Sequence, residues 1–363
     1  VPELVVLTEQ LLAPVPGGTG RYTRELAAAL ARTAPAGWSV RGVTARHGDL
    51  APAVVGGVAG PTALALPRRA LTLAWEHGLP LWPGGETVHA PTPLAPPARR
   101  GRRLVVTVHD TVPFTHPETL TSRGAAWHRK VIRRATRTAD AIVVPTRAVA
   151  DDLARHAPGP APVHVVGHGV SSVLSAPSAV DLDLPGAYVL AVGTVEPRKG
   201  LDVLIEAMAA VPGVPLVVAG PAGWGGVDPR ALAARHGLPP DRVRVLGRLS
   251  DEELAAALHG ATVLAAPSRA EGFGLPVLEA MAAGVPVVHS DAPALVEVAG
   301  GAGTQVKRDD PGALADALRT VLDSPDLAAS MVERGRARAA GFTWDGAAEA
   351  LWRLHVGLGG GAS

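Results

Sequence analysis

Cysteine is absent from the 363 residues, and so is asparagine. Without thiols the chain has no disulfide, no thiolate nucleophile and no cysteine-based metal site. Without asparagine it has no N-glycosylation acceptor. Lysine is nearly as scarce: Lys130, Lys199 and Lys307 are the only three of 34 basic residues. Phenylalanine also occurs three times, as Phe114, Phe273 and Phe342. Such a composition fits a GC-rich genome, and a rare residue kept in it points to a specific need. Lys199 and Phe273 stand out on that ground. No apolar run reaches the ~18 residues that span a bilayer, and no signal peptide is visible. The sequence starts at Val1 and not Met, which leaves room for a trimmed leader. A cytoplasmic protein is the expectation.

What is present describes a globular chain of two domains. Hydrophobic residues make up 47% and charged residues 18%, and the length exceeds one ordinary core. The 42 glycines and 34 prolines are scattered between apolar runs, where they punctuate loops. The formal net charge of +1 hides an asymmetry. Residues 1–170 carry 19 Lys and Arg against 11 Asp and Glu; residues 171–363 carry 15 against 22. A basic N-terminal half favours an anionic acceptor or a membrane surface, and in the second case the expected place is peripheral, at the inner face of the membrane.

Short apolar runs alternate with amphipathic stretches. The runs at 3–8, 39–44, 104–109, 141–145, 163–166, 188–193, 215–219, 243–246, 262–266 and 285–289 read as strands. Stretches such as 20–33, 123–138, 200–210, 251–259 and 274–283 read as helices. This alternation predicts parallel, doubly wound sheets, an α/β fold. It pauses over 167–187, a polar, proline-containing linker that separates a domain at 1–170 from another at 171–340. A helical tail at 341–358 is expected to pack back across both. In open α/β sheets ligands bind beyond the carboxyl ends of strands, and the motifs all follow predicted strands, which fits a cleft between two facing domains.

The densest motif is Ser268–Val288. Glu271 and Glu279 flank a Gly-Phe-Gly turn that opens a helix. A helix N-terminus with bare N–H groups attracts an anion, and carboxylates suit hydroxyls. Together they suggest a nucleotide sugar, although a buried glutamate near a helix start is also a plain cap. Arg198 and Lys199, side by side in Gly193–Gly200, suit a diphosphate; a solvated surface pair is the alternative. His109-Asp110 ends a strand and can hydrogen-bond a sugar hydroxyl or serve only local backbone. Gly17-Gly18-Thr19-Gly20 follows the first strand, where glycines let backbone approach a phosphate or merely turn. A dinucleotide fingerprint is incomplete there, because Thr23 stands at its last position. Asp181-Leu182-Asp183 is a literal Asp-x-Asp metal pair, but it lies in the linker. The histidines lack His-Glu-x-x-His spacing. The stretch 123–137 carries Arg123, Trp127, Arg129, Lys130, Arg133, Arg134 and Arg137, a basic face that suits an anionic membrane or plain solvent.

Taken in order, Gly17–Leu26, His109–Glu118, Gly193–Asp202, Gly247–Leu254, Pro267–Val288 and Phe342-Thr343-Trp344 resemble the retaining family 4 glycosyltransferases. The segment His109–Phe114 is most similar to their mannosyltransferase branch. The resemblance implies the GT-B fold, two Rossmann-like doubly wound domains facing a cleft, with the acceptor on the N-terminal domain and the donor on the C-terminal one. It implies that Glu271 lies by the donor sugar and Glu279 on the ribose. Arg198 and Lys199 would meet the diphosphate, with Gly18 and the backbone of Phe273, Gly274 and Leu275. His109 would lie near the sugar, and Arg248 and Leu249 would border the base. It implies a bacterial enzyme of polysaccharide or glycolipid synthesis, without metal or cofactor. The expected donor is GDP-mannose, with UDP-sugars behind it. The acceptor is a glycan, glycolipid or small molecule, and no nucleic acid is a partner. A non-catalytic nucleotide-sugar-binding module and a sugar-nucleotide epimerase of the same fold are the alternatives. The chain departs from the family at Gly167-His168-Gly169-Val170, where many relatives have Pro-Asn-Gly-Val, and at Thr304–Lys307.

Overall fold

Runs rich in valine, leucine and alanine become short parallel strands, as they do where both faces of a sheet are covered. The computed structural model describes residues 2–359. The chain divides into two units: Val1–Phe114, Ser122–Gly169 and Thr343–Ser363 form the first, Thr115–Thr121 and Val170–Phe342 the second.

The first unit holds seven strands: β1 (Glu3–Leu7), β2 (Ser39–Arg46), β3 (Ala59–Pro67), β4 (Thr87–Ala90), β5 (Arg103–Thr107), β6 (Ala141–Val144) and β7 (Val163–Val165). All pair in parallel, in the order β3-β2-β1-β4-β5-β6-β7. Its helices are α1 (Gly17–Arg32), α2 (Arg68–Glu76), the one-turn α3 (Val112–Thr115), α4 (Ser122–Thr138) and α5 (Arg147–His156). Thr146 caps α5 by accepting the N–H of Val149, which satisfies one of the orphan donors of a first turn.

The second unit begins with the short α6 (Ser172–Ser175) and alternates thereafter: β8 (Val189–Val192), α7 (Leu201–Met208), β9 (Leu216–Ala219), α8 (Pro229–Arg235), β10 (Val243–Gly247), α9 (Asp251–His259), β11 (Val263–Ala266), α10 (Leu275–Ala283), β12 (Val287–Ser290), α11 (Pro293–Ala299), β13 (Thr304–Val306), α12 (Pro311–Asp323) and α13 (Pro325–Ala339). The parallel order is β10-β9-β8-β11-β12-β13. Ser250 and Glu253 form a capping box on α9, the reciprocal arrangement that their spacing favours.

The last helix, α14 (Trp344–Gly359), returns to the first unit. Trp344, Leu351 and Trp352 are buried with Leu26 and Leu30 of α1. Trp352 donates its indole N–H to the Leu30 carbonyl at 3.0 Å. Behind them His355 lies 2.9 Å from the Thr87 hydroxyl and 3.3 Å from His89. Burial pushes His355 down to about 3 and His89 well below the usual imidazole range. Both are neutral side chains of a core. Among the described residues no helix is long and apolar enough to cross a membrane.

The expected strands are all present. Those not anticipated are β3, β4 and β13. β4 is fully buried but only four residues long, with Gly84-Gly85 before it and Pro91 and Pro93 after. β3 is an edge strand carrying Gly60 and Pro61, and proline is tolerated at such an edge.

Candidate active site

In a doubly wound sheet the crevice forms where the strand order reverses. That point lies between β8 and β11 in the second unit and between β1 and β4 in the first. The second unit's motifs sit on the two loops this geometry selects. Gly193–Gly200 follows β8, and Pro267–Gly274 follows β11.

The two loops touch at Gly200. Its backbone is left-handed at φ 66°, and a Cβ there would come within 2.3 Å of the Pro267 carbonyl oxygen. Only glycine meets both conditions. Gly200→Ala is expected to cost about 1–3 kcal/mol or more, read as a fall in the urea midpoint. An unchanged midpoint would mean that the loops are not locked together.

Across this contact the charged residues form one cluster. Lys199 Nζ donates to Glu271 Oε1 at 2.6 Å, and Arg198 donates to Glu271 Oε2 at 3.0 Å. The buried Ser268 adds its hydroxyl to Oε1 at 2.8 Å. Burial pushes the Glu271 carboxyl up, but Lys199 and Arg198 outweigh it and hold the carboxyl at about 2. Glu271 is therefore a fixed carboxylate at neutral pH and no proton donor. Arg198 is braced on its other side by Glu196, at 3.1 and 2.6 Å, and by the Ala270 carbonyl at 2.9 Å. Glu196 went unread in the sequence although its segment was singled out. The signal is its place two residues before a functional arginine.

A pocket opens here, lined among others by Gly193, Lys199, Ser268, Glu271, Gly274 and Pro276. Gly193 lies under the lysine stem, where a Cβ would stand 3.1 Å from Lys199 Cε. Gly274 precedes α10 at φ 98°, and a Cβ there would be 2.4 Å from Leu295. Phe273 turns its ring inward against Phe342, which pins the loop. At the start of α10, Pro276 carries no N–H and the Val277 N–H donates to the Gly274 carbonyl at 3.0 Å, so the positive end of the helix dipole is presented there by the N–H of Leu275. Glu279 lies one turn further, buried at 1% exposure and outside the pocket lining. Arg248 and Leu249 follow β10, the arginine exposed and the leucine packed on the core.

Gly18 and His109 belong to the first unit. The glycines expected as a loop are instead the first turn of α1, where Gly17 is left-handed at φ 61° and the Gly20 N–H donates to the Pro16 carbonyl at 2.9 Å. Gly18 thus presents its N–H at a helix start. His109 Nε2 donates to the Pro91 carbonyl at 2.7 Å. Burial lowers its pKa, opposed by that carbonyl and by Asp110. A neutral ring protonated at Nε2 leaves Nδ1 as an acceptor. His109 stands edge-on to Tyr22 at 4.6 Å, and Tyr22 is also 4.6 Å from His168, which stacks on Trp344. The residue that departs from the family pattern, His168, is thus a buried part of this ring cluster.

On α4, part of the basic face is committed within the unit. Trp127 donates to Glu76, Arg129 to the Pro113 carbonyl and Arg134 to the Trp75 carbonyl. In the linker, Asp181 accepts the N–H of Asp183 at 2.8 Å.

Two family models match in succession: Glycosyltransferase Family 4 over residues 16–172 and Glycosyl transferases group 1 over residues 177–338. An O-antigen chain mannosyltransferase B of Escherichia coli is 36% identical over 163 residues, 44% of this chain and 42% of that one. A D-inositol 3-phosphate glycosyltransferase of Mycobacterium avium is 38% identical over 232 residues, 59% of this chain and 54% of that one. The chain spans about half the length of these curated relatives. Among solved structures, Anabaena HepE in complex with UDP and glucose shares the fold with a TM-score of 0.76 at 18% identity, covering 98% of this chain and 100% of that one.

Proposed function

The chain belongs to glycosyltransferase family 4, of the GT-B architecture, and from that premise we propose that it transfers a hexose from a nucleoside diphosphate sugar to a hydroxyl acceptor. The transfer retains the anomeric configuration and uses no metal ion. The observation that carries this reading is the Lys199–Glu271–Arg198 cluster at the β8/β11 reversal, beside the start of α10.

The chemistry follows from charge. The bond from the anomeric carbon to the phosphate oxygen breaks, and the departing diphosphate gains negative charge. Lys199, Arg198 and the positive N-terminal end of α10, with the Leu275 N–H, compensate it, which is the role a cation plays elsewhere. Positive charge builds on the anomeric carbon, as in other oxocarbenium-like sugar reactions. Glu271, held ionised, orients the sugar and stabilises that charge without forming a covalent bond. The acceptor oxygen attacks on the leaving-group face, and its proton passes to the departing phosphate. Glu279 holds the ribose, Arg248 and Leu249 border the base, and Gly18 approaches the phosphates. His109 offers Nδ1 to a sugar hydroxyl.

The donor of this proposal is GDP-mannose, in line with the mannosyltransferase among its relatives. The UDP bound by HepE supports a nucleotide-sugar donor and makes UDP-sugars the first competitor. The acceptor, a glycan, glycolipid or small molecule, is assigned to the first unit. Its excess of basic residues favours an anionic acceptor, with peripheral contact to an anionic membrane through the α4 arginines left exposed.

The test is a thermal-shift series with GDP, UDP, ADP and TDP. A ligand at a hundred times its Kd adds about 2.7 kcal/mol of stability, so a selective shift identifies the base. The expected winner is GDP, unchanged by EDTA. A shift that EDTA abolishes counts against the metal-free scheme. Binding without turnover in the presence of cell-derived acceptors would identify a binding module. Conversion of donor alone would identify an epimerase.

A further inference from the structure

Arg269 stands two residues before Glu271 yet does not line the pocket. Its guanidinium grips Asp202, in the first turn of α7, with two bonds of 2.9 and 2.7 Å. It also donates to the Pro197 carbonyl at 2.7 Å and to Asp309 at 2.6 Å. Its own N–H donates to the Arg198 carbonyl at 2.8 Å. Its carbonyl accepts from Arg308 at 3.2 Å, and Arg308 is anchored on Asp291 at 2.7 Å. One residue therefore laces together the loops that follow β8, β11 and β13, with Asp291 after β12 joined through Arg308.

The contacts fall on both sides of the basic pair. Pro197 precedes Arg198, and Asp202 follows Lys199 by three positions. A side chain that fixes both ends of the six-residue segment 197–202 fixes what that segment presents. The fork-to-fork pairing of guanidinium and carboxylate is directional, so it sets orientation as well as distance. Displacement of about 1 Å in such a support can cost on the order of 10²-fold in function.

We propose that Arg269, through Asp202 and the Pro197 carbonyl, is the positioning residue that holds Arg198 and Lys199 in register with Glu271 and so with the donor diphosphate. The inference rests on the diphosphate reading given above for these two cations. It assigns Arg269 no contact with substrate.

The scarcity of lysine supplies a test that does not depend on turnover. With three lysines in the chain, modification by an amine-reactive reagent can be followed site by site by mass spectrometry. Lys199 is tethered to Glu271 with 16% of its side chain exposed, and Lys130, at 63%, is the internal reference. In Arg269→Gln and in Asp202→Asn, Lys199 should be modified several-fold faster while Lys130 is unchanged. Affinity for GDP or UDP, by calorimetry, should fall on the order of 10²-fold in Arg269→Gln. Arg269→Lys, which restores charge but not the fork, should recover only part of it. Asp202→Asn carries the test if Arg269→Gln does not fold.

A lower melting temperature with Lys199 reactivity and nucleotide affinity both unchanged would overturn the inference, because the cluster would then be only a surface staple. If the unaltered protein binds neither nucleotide while Arg269→Gln still releases Lys199, the diphosphate reading fails and the brace stands. If the unaltered protein binds and Arg269→Gln binds equally well with Lys199 still protected, the brace alone fails.

Discussion

Lys199→Ala is expected to lower turnover of a nucleoside diphosphate sugar by on the order of 10²–10³-fold, the usual cost of removing one preorganised charge from a developing anion. The pocket that holds Lys199 and Glu271 contains no second lysine. Arg198 cannot replace it, because its guanidinium is divided among Glu196, Glu271 and the Ala270 carbonyl. Removing Lys199 also leaves Arg198 alone to neutralise a carboxylate, so less positive charge faces the diphosphate than a count of residues suggests. The loss should fall mainly on kcat, since the charge it answers is largest as the diphosphate departs. Lys199→Arg should restore only part of the activity, because a planar fork does not replace a point charge. Initial rates on folded protein, with Lys130→Ala as control, decide the matter. Turnover within threefold of the unaltered chain would remove Lys199 from the mechanism.

Glu271→Gln should show an equally large loss of activity together with a change in acid stability. The glutamine keeps the shape and removes the charge that Lys199 and Arg198 share. The sign of the pH effect follows from the direction of the shift. Burial works against the carboxylate, but Lys199 and Arg198 prevail and take the group from the usual 4.5 to about 2. A carboxyl depressed by folding contributes stability that is complete above its unfolded value and disappears as pH falls through its folded value. A shift of this size corresponds to about 3 kcal/mol. The unaltered protein should therefore lose that advantage over Glu271→Gln between pH 4.5 and 2. Urea midpoints taken across this range measure it. If the two midpoints stay a constant distance apart from pH 7 down to pH 2, the charge cluster does not stabilise the fold in the way described.

Much of this site could be read in the sequence because its parts are local. The Glu271–Glu279 spacing, the Gly-Phe-Gly turn and the adjacent Arg198-Lys199 pair are each contiguous, and each follows an apolar run long enough to register as a strand. β4 escaped for the opposite reason. It is four residues long with a histidine inside it, and its strand partners lie 83 residues upstream and 16 downstream. Glu196 and Arg269 escaped because their roles exist only between loops. Nothing in a local pattern says that position 269 meets position 202, or that Glu196 rather than solvent receives the far side of Arg198. His168 is a third kind of case. Its departure from the family pattern was visible, but its partners Tyr22 and Trp344 lie 146 and 176 residues away along the chain.

The return of α14 to the first unit has a consequence for how the protein is made. Domains generally fold as units during synthesis, N-terminal first. Here the first sheet is translated early, but Trp344, Leu351, Trp352 and His355, which complete its core, come from the far end of the chain. Until they emerge from the ribosome, Leu26, Leu30 and His89 have no cover on that side. The ordinary order of maturation is thereby reversed. The second unit, contiguous over Val170–Phe342 apart from one short excursion, can close while the first still waits. A gene fragment cut where the two family models end, at residues 172 and 338, would separate the first sheet from its lid. Such a fragment should reach the soluble fraction only when α14 is supplied with it.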